Sequence, residues 1–311
     1  MIYGGLKIAK PGIYAGIKIE DYHEQCTDGP SVSSSGLRKI VNQSLAHFWC
    51  ENSLNPEREP EDDTAAFILG RAAHHLLLGE DEFSTLFVAR PETIQGEAWQ
   101  GNRKACKAWL QDQASAGRTV LLPAQIKAIR GMAKSLAAHP LIKSGILNGD
   151  IERSMFSLDK ETGIWKKARP DAIPTDSGDF ADLKHTTSVR YEDLQRTIAD
   201  YGYHQQGAMV GEVYKEITGK PMTSFSLVFV ESKPPHCVRV VTLKDDDLER
   251  GRQQNRMALK MLRRALDTNA WPGPGDYEDA TFIELPQWKQ TRIDSDLAYL
   301  KTLFDEKKDA A

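Results

Sequence analysis

The feature that most constrains the fold is a change of hydrophobic period near Ile151. Before it, apolar residues recur at spacings of three and four. After it, they alternate with polar residues in short runs. Upstream, SVSSSGLRKIVNQSLAHFW sets Leu37, Ile40, Val41 and Leu45 at helical spacing behind serines that can cap a helix. TAAFILGRAAHHLLLG reads as a strongly apolar helix closed by Gly79, LFVAR as a short strand, and 97–116 as mostly helical. PAQIKAIRGMAKSLAAHP is a clearer helix with proline in its first turn. Downstream, IERSMFSLD and GIWKKARPDAI flank the turn-prone KETG and predict a hairpin; DFADLKHTT is the next strand. Helices follow over 191–200 and 203–218, then a second hairpin from SFSLVFVESK and HCVRVVTLK. A charged helix over 245–266, the loop WPGPGDYED and a last helix over 294–306 complete the chain. Helices on both sides of about five strands predict an α/β fold, a mixed central sheet in an α/β/α sandwich. The expected organisation is one domain over 1–311: a strand, turn and capped helix over 1–62, a core over 63–245, and a helical extension over 246–311.

At 311 residues the chain can bury a substantial interior. No apolar run approaches the roughly 20 residues that a membrane helix needs. The start, MIYGGLKIAKPGIYAGIKIEDYH, alternates polar and apolar positions rather than following a basic segment with an apolar block, so the expected location is the cytoplasm. Cys26, Cys50, Cys106 and Cys237 lie far apart, which argues against zinc and iron–sulfur centres. A net charge of −4 gives no overall pull toward nucleic acid, so any such contact must come from local patches.

RPDAIPTDSGDFADLKHTT carries the chemistry. Strand residues two apart share a face, so Asp182 and Lys184 project together while Leu183 points into the opposite layer. Asp171 precedes the turn and can lie beside Asp182 on a neighbouring strand. Two carboxylates and the Leu183 carbonyl form a hard oxygen site suited to Mg²⁺, with Mn²⁺ as a substitute. Such a site fits phosphodiester hydrolysis, with Lys184 orienting or deprotonating the attacking water, the latter if burial lowers its pKa. On spacing alone, a structural Asp182 and Lys184 ion pair accounts for the pattern equally well. His74, one turn after Gly70 and on the face of Arg71, is by itself equally a core histidine.

Together these segments are familiar. GRAAHHLLLGEDEF resembles the Gly-x-x-x-His helix of RecB-like PD-(D/E)xK nucleases, and RPDAI with DFADLK resembles that superfamily's name-giving motif. YHQQGAMVGEVY resembles the downstream helix with its glutamine, and DYHEQCTDGPSVSSSGLRKIVNQSLAHFW is similar to the start of exonuclease VIII-type catalytic domains, including phage-encoded ones. The resemblance runs over about residues 20–245, in order. It implies a PD-(D/E)xK core with His74, Asp171, Asp182 and the Leu183 carbonyl as metal ligands, Lys184 as catalytic lysine, and Gln206 near the reacting phosphate. Val210 stands where the family's tyrosine is expected; Tyr214, one turn on, is a possible substitute. The resemblance further implies a 5′-to-3′ exonuclease on double-stranded DNA ends in phage or prophage recombination, a single-strand annealing partner, and a ring-like homo-oligomer. An endonuclease with the same site, and a non-catalytic DNA-binding protein of the same fold, are the competing readings.

Three basic groups are candidates for DNA contact. Lys167 and Arg169, with Lys166, run directly into Asp171, and alternation puts the first two on its face. Arg103, with Lys104 and Lys107, is interleaved with Trp99 and Trp109, which could stack on a base or pack in the core. Arg252, Arg256, Lys260 and Arg263 share one face of the charged helix, as a phosphate-following stripe or as a solvated face balanced by nearby acids.

Overall fold

The computed structural model describes all residues except 60–63, 79–82, 152, 176, 277–278 and 309–311. The expected terminator Gly79 therefore lies outside the described residues. Contacts divide the chain into two compact units, Met1–Gly273 and Pro274–Ala311. The expected boundary at residue 245 is thus displaced. The helix Asp245–Thr268 belongs to the first unit because Leu248, Ala258, Leu259, Leu262 and Ala265 are buried in its core.

The alternation after Ile151 produces two ladders. The first hairpin pairs Ser154–Leu158 with Trp165–Ala168 antiparallel, Leu158 opposite Trp165. The KETG turn closes through Asp159, whose carboxylate accepts hydrogen bonds from the Thr162 amide and hydroxyl at 2.9 and 2.7 Å; Gly163 supplies the positive φ of 67°. Strands Gly12–Tyr14 and Ser31–Ser33 extend this hairpin at its two edges, giving a mixed sheet of four strands. The serines expected only to cap a helix thus begin as an edge strand. The helical stretch after them breaks into Ser34–Asn42 and Leu45–Glu51, with Ser44 accepting from the His47 amide at the second start.

The second ladder pairs Asp179–Thr186 in parallel with Ser224–Glu231, and that strand antiparallel with Val238–Thr242. The expected sheet of about five strands is divided, among the described residues, into main ladders of four and three strands and three two-stranded ones. After Ala168 the chain leaves the four-stranded sheet, and Ala172–Ile173 pairs antiparallel with Asp150–Ile151. Helices cover both faces of the three-stranded ladder. Phe180, Phe225, Leu227 and Phe229 pack with Met209, Val210 and Val213 of the helix Tyr203–Thr218, in the same core as the Asp245–Thr268 helix. Ala181, Leu183, Val228 and Val230 pack on the other side with Ala72 and Ala73 of the helix Ala65–Leu78 and Ile129, Met132 and Leu136 of the helix Pro123–Ala138. Clean alternation along 180–183 therefore fixes which layer each side chain enters.

The second unit consists of a loop and the helix Gln287–Lys308, which starts earlier than expected. Among the described residues no helix is long and apolar enough to cross a membrane.

Candidate active site

A cavity of about 1030 Å³ opens where the two ladders and the helices Ser34–Asn42, Ala65–Leu78 and Tyr203–Thr218 meet, and its wall contains His74, Asp171, Leu183, Lys184 and Gln206. Four segments far apart in the chain supply these residues.

The Asp179–Thr186 strand turns Asp182 and Lys184 onto one face, and the Lys184 ammonium lies 2.5 Å from Asp182 Oδ2. From the helix above, Gln206 Nε2 donates to Asp182 Oδ1 at 2.8 Å, and Gln206 Oε1 is buried with no hydrogen-bond partner. Asp171 arrives from the break between ladders, and its Oδ2 accepts the Leu183 amide at 2.5 Å. This bond ties the residue after Pro170 to the middle of the charged strand. On the opposite helix His74 faces Asp171, with 3.1 Å between Nε2 and Oδ1. Gly70, one turn earlier, lies beside His185; a Cβ there would meet His185 Nδ1 at 3.5 Å, an ordinary contact, so close backbone approach does not require this glycine.

Burial raises both carboxylates, and their different neighbours drive them apart in proton affinity. Burial alone would raise Asp171, but the facing His74, the hydrogen bond to it, Lys184 and the Leu183 amide outweigh that and hold it below the usual range. Asp182 is raised, first by burial and then by the charge of Asp171, with Lys184 only partly opposing. Burial opposes charge on Lys184, yet the two carboxylates prevail and raise it. This reverses the lowering expected for a water-deprotonating lysine: held between two carboxylates, Lys184 is an ammonium suited to orienting and charge stabilisation. His74 is likewise raised, burial being overcome by Asp171.

The donors suit a hard divalent cation: two carboxylates, one imidazole, and a buried amide oxygen lacking a donor. The 3.1 Å between His74 and Asp171 is close to the roughly 3 Å that separates neighbouring octahedral ligands with bonds of about 2.0–2.1 Å. Among the described residues, however, no three His, Cys, Asp or Glu side chains converge as a ready cage. Asp182 is instead turned to Lys184 and Gln206, so its carboxylate would be shared between those partners and an ion.

Two residues of the site were missed in the sequence. The Tyr203 ring lies 4.9 Å from Lys184 Nζ, and the Arg38 guanidinium lies 5.9 Å from the same ring. Tyr203 was legible in principle, since it stands three residues before Gln206 on one helix face. Arg38 comes from 163 residues away from the Tyr201 carbonyl that it binds, and no local signal pointed to it. Tyr214 does not take the missing tyrosine's place. It is buried edge-on against Phe180 at 5.0 Å, whereas Val210 reaches the cavity wall.

Most of the basic candidates have other partners. Lys167 is buried and donates to the Tyr22 and Glu24 carbonyls at 2.6 and 2.8 Å, and burial lowers its pKa to about 8, so it does not face phosphate. Lys166 is ion-paired with Glu212 and Glu216. Arg169 does line the cavity, donating to the Ile17 carbonyl at 2.9 Å. Arg103 precedes its helix, pairs with Glu97 and lies away from the cavity; Trp99 and Trp109 pack edge-on, half-buried, at 5.5 Å. Arg252 pairs with Glu249. Arg256 binds Asp159 at 2.7 Å, Lys260 binds Glu161 at 2.9 Å and Arg263 binds Asp267 at 2.6 Å, so the stripe is a balanced face rather than a row of free cations.

Comparison with known proteins agrees with this architecture. A crystal structure described as a "putative exonuclease" from Eubacterium rectale superposes with a TM-score of 0.61 at 15% identity, covering 88% of this chain and 96% of that one. At that identity the likeness speaks for the fold. No curated protein matches the chain significantly. The family model described as a PDDEXK-like domain of unknown function (DUF3799) matches residues 33–281, the span that holds both ladders' charged strands and every cavity residue named above. The chain belongs to this PDDEXK-like family, and its fold is that of the PD-(D/E)xK nucleases.

Proposed function

We propose that the chain is a Mg²⁺-dependent deoxyribonuclease that hydrolyses phosphodiester bonds, with Mn²⁺ able to replace Mg²⁺. The observation that carries this reading is the convergence of His74, Asp171, Lys184 and Gln206 on one cavity from four separate segments, with Asp182 held directly behind it by Lys184 and Gln206. A divalent ion held by His74, Asp171, Asp182 and the Leu183 carbonyl would acidify the attacking water and neutralise charge on the phosphate. The chain's own residues do the rest. Lys184, fixed between Asp182 and the Tyr203 ring, presents an ammonium to the oxygens on which charge develops. Gln206 fixes the Asp182 carboxylate through Nε2 and leaves Oε1 to accept from a water in the cavity. Arg169, in the cavity wall, is the best remaining contact for the DNA backbone.

The finer reading is an exonuclease that acts 5′ to 3′ on duplex ends in phage or prophage recombination in the bacterial cytoplasm. It would work with a single-strand annealing protein and as a homo-oligomer. Family resemblance supports these points. The test is digestion of end-labelled linear duplex and of covalently closed circular duplex with Mg²⁺, beside Lys184→Ala. Loss of the linear substrate alone, abolished by the substitution, is the expected result. Cleavage of the circle would make the enzyme an endonuclease, and equal activity of Lys184→Ala would sink the site.

A further inference from the structure

At the lip of the cavity, the helix Tyr191–Tyr201 ends at Gly202, whose left-handed φ of 63° lets the next helix start at once with Tyr203. The left-handed φ favours glycine here, and a Cβ would come within 2.9 Å of the Arg38 Cδ and Gln205 Oε1 side-chain atoms. The junction places the rings of Tyr201 and Tyr203 parallel, with centroids 5.7 Å apart and planes 12° apart. Arg38 reinforces it, donating to the Tyr201 carbonyl while its guanidinium rests over the Tyr203 ring. Tyr203 is half-buried and meets Lys184; Tyr201 is 62% exposed, although its backbone is held at both ends.

A large aromatic stacked on a second ring on one side, left open on the other and set one ring away from the catalytic lysine has no packing reason for its exposure. Resting on the nuclease reading, we propose that Tyr201, backed by Tyr203, is a stacking platform for an unpaired nucleobase of the strand being cut. Every base has a π-face, so such a platform ignores sequence but demands that the base leave its duplex neighbours. The substrate class is therefore a single-stranded or frayed end.

The test is binding of end-labelled single-stranded oligonucleotides without divalent metal, so that the strand stays intact, with an abasic site moved through successive positions from the end. In the wild type one position should be sensitive, with affinity falling roughly 5- to 100-fold, the worth of one base–aromatic stack. Tyr201→Ala should bind the intact strand weaker by a similar factor and lose that sensitivity, and Tyr201→Phe should retain it. Tyr201 is exposed, so the alanine variant should fold normally. An alanine variant with the wild-type abasic profile overturns the platform. The nuclease reading is judged separately, by hydrolysis in wild type and Lys184→Ala.

Discussion

The helix Tyr203–Thr218 serves two clusters that look alike in composition and differ in kind. On one side Gln206 joins Asp182, Lys184, Asp171 and His74. Further along, Glu212 and Glu216 meet Lys166, which is fully buried, at 2.5 and 2.7 Å, and Arg256 links Glu212 to Asp159. In each cluster a lysine meets carboxylates, Lys166 fully buried and Lys184 in the cavity wall. In the second, cations and anions alternate and the partly exposed glutamates are open to water, so nothing is left over. In the first, two carboxylates of like charge, Asp182 buried and Asp171 in the cavity wall, have proton affinities pushed in opposite directions, and an acceptor stands without a donor. A structural ion cluster balances itself; a functional one is left incomplete for something that arrives later.

Substitutions should separate the two. Lys184→Ala or Asp182→Asn should lower hydrolysis of linear duplex by about 10²–10⁴-fold or more, and for Asp182→Asn, which removes a carboxylate already raised by burial and by Asp171, the thermal midpoint should stay or rise. A fall in stability equal to the fall in activity would make the site structural. Lys166→Ala should do the reverse. It should cost about 3 kcal/mol in denaturant unfolding, the low end for breaking a buried pair, because Glu216 at 39% exposure can rehydrate; hydrolysis per folded molecule should persist.

Acid should discriminate next. Burial would raise Asp159, but Arg256 and Thr162 together lower it from 3.8 to about 2. A depressed carboxylate stabilises the fold above its unfolded value and loses that contribution as pH falls through the folded one. Wild type should therefore lose at most about 2 kcal/mol from this group between about pH 4 and pH 2. Arg256→Ala should be less stable at neutral pH and show a smaller loss across that window; an unchanged acid profile would break the assignment. The smallest effect is expected for Tyr214→Phe, which keeps the ring against Phe180. Hydrolysis should be unaltered and stability within about 0.5 kcal/mol, whereas a large loss of activity would restore Tyr214 to the site.

Much of the fold was legible because period is a local property. The helix Tyr203–Thr218 was read to the residue, and both hairpins follow from alternation around KETG and the Pro234 turn. The division of the sheet was not legible, because it depends on which distant strands pair. Nor was the fate of the serines at 31–33, since an edge strand depends on Trp165 offering a free edge. Asp182 and Lys184 were correctly put on one face by the two-residue repeat, but the same rule sent Lys167 toward phosphate. What lay across from it was the Tyr22 and Glu24 carbonyls, more than 140 residues away.

The sequence by itself determined which residue types share a face and where the chain can turn, because sterics and hydrophobic period act over a few residues. Only the tertiary structure decided which of those faces meet. It brought His74 to Asp171, turned Lys184 into a held ammonium, buried Tyr214, and left Tyr201 open beside the cavity. Proton affinity and exposure depend on groups brought together from distant segments, and local spacing carries no record of them.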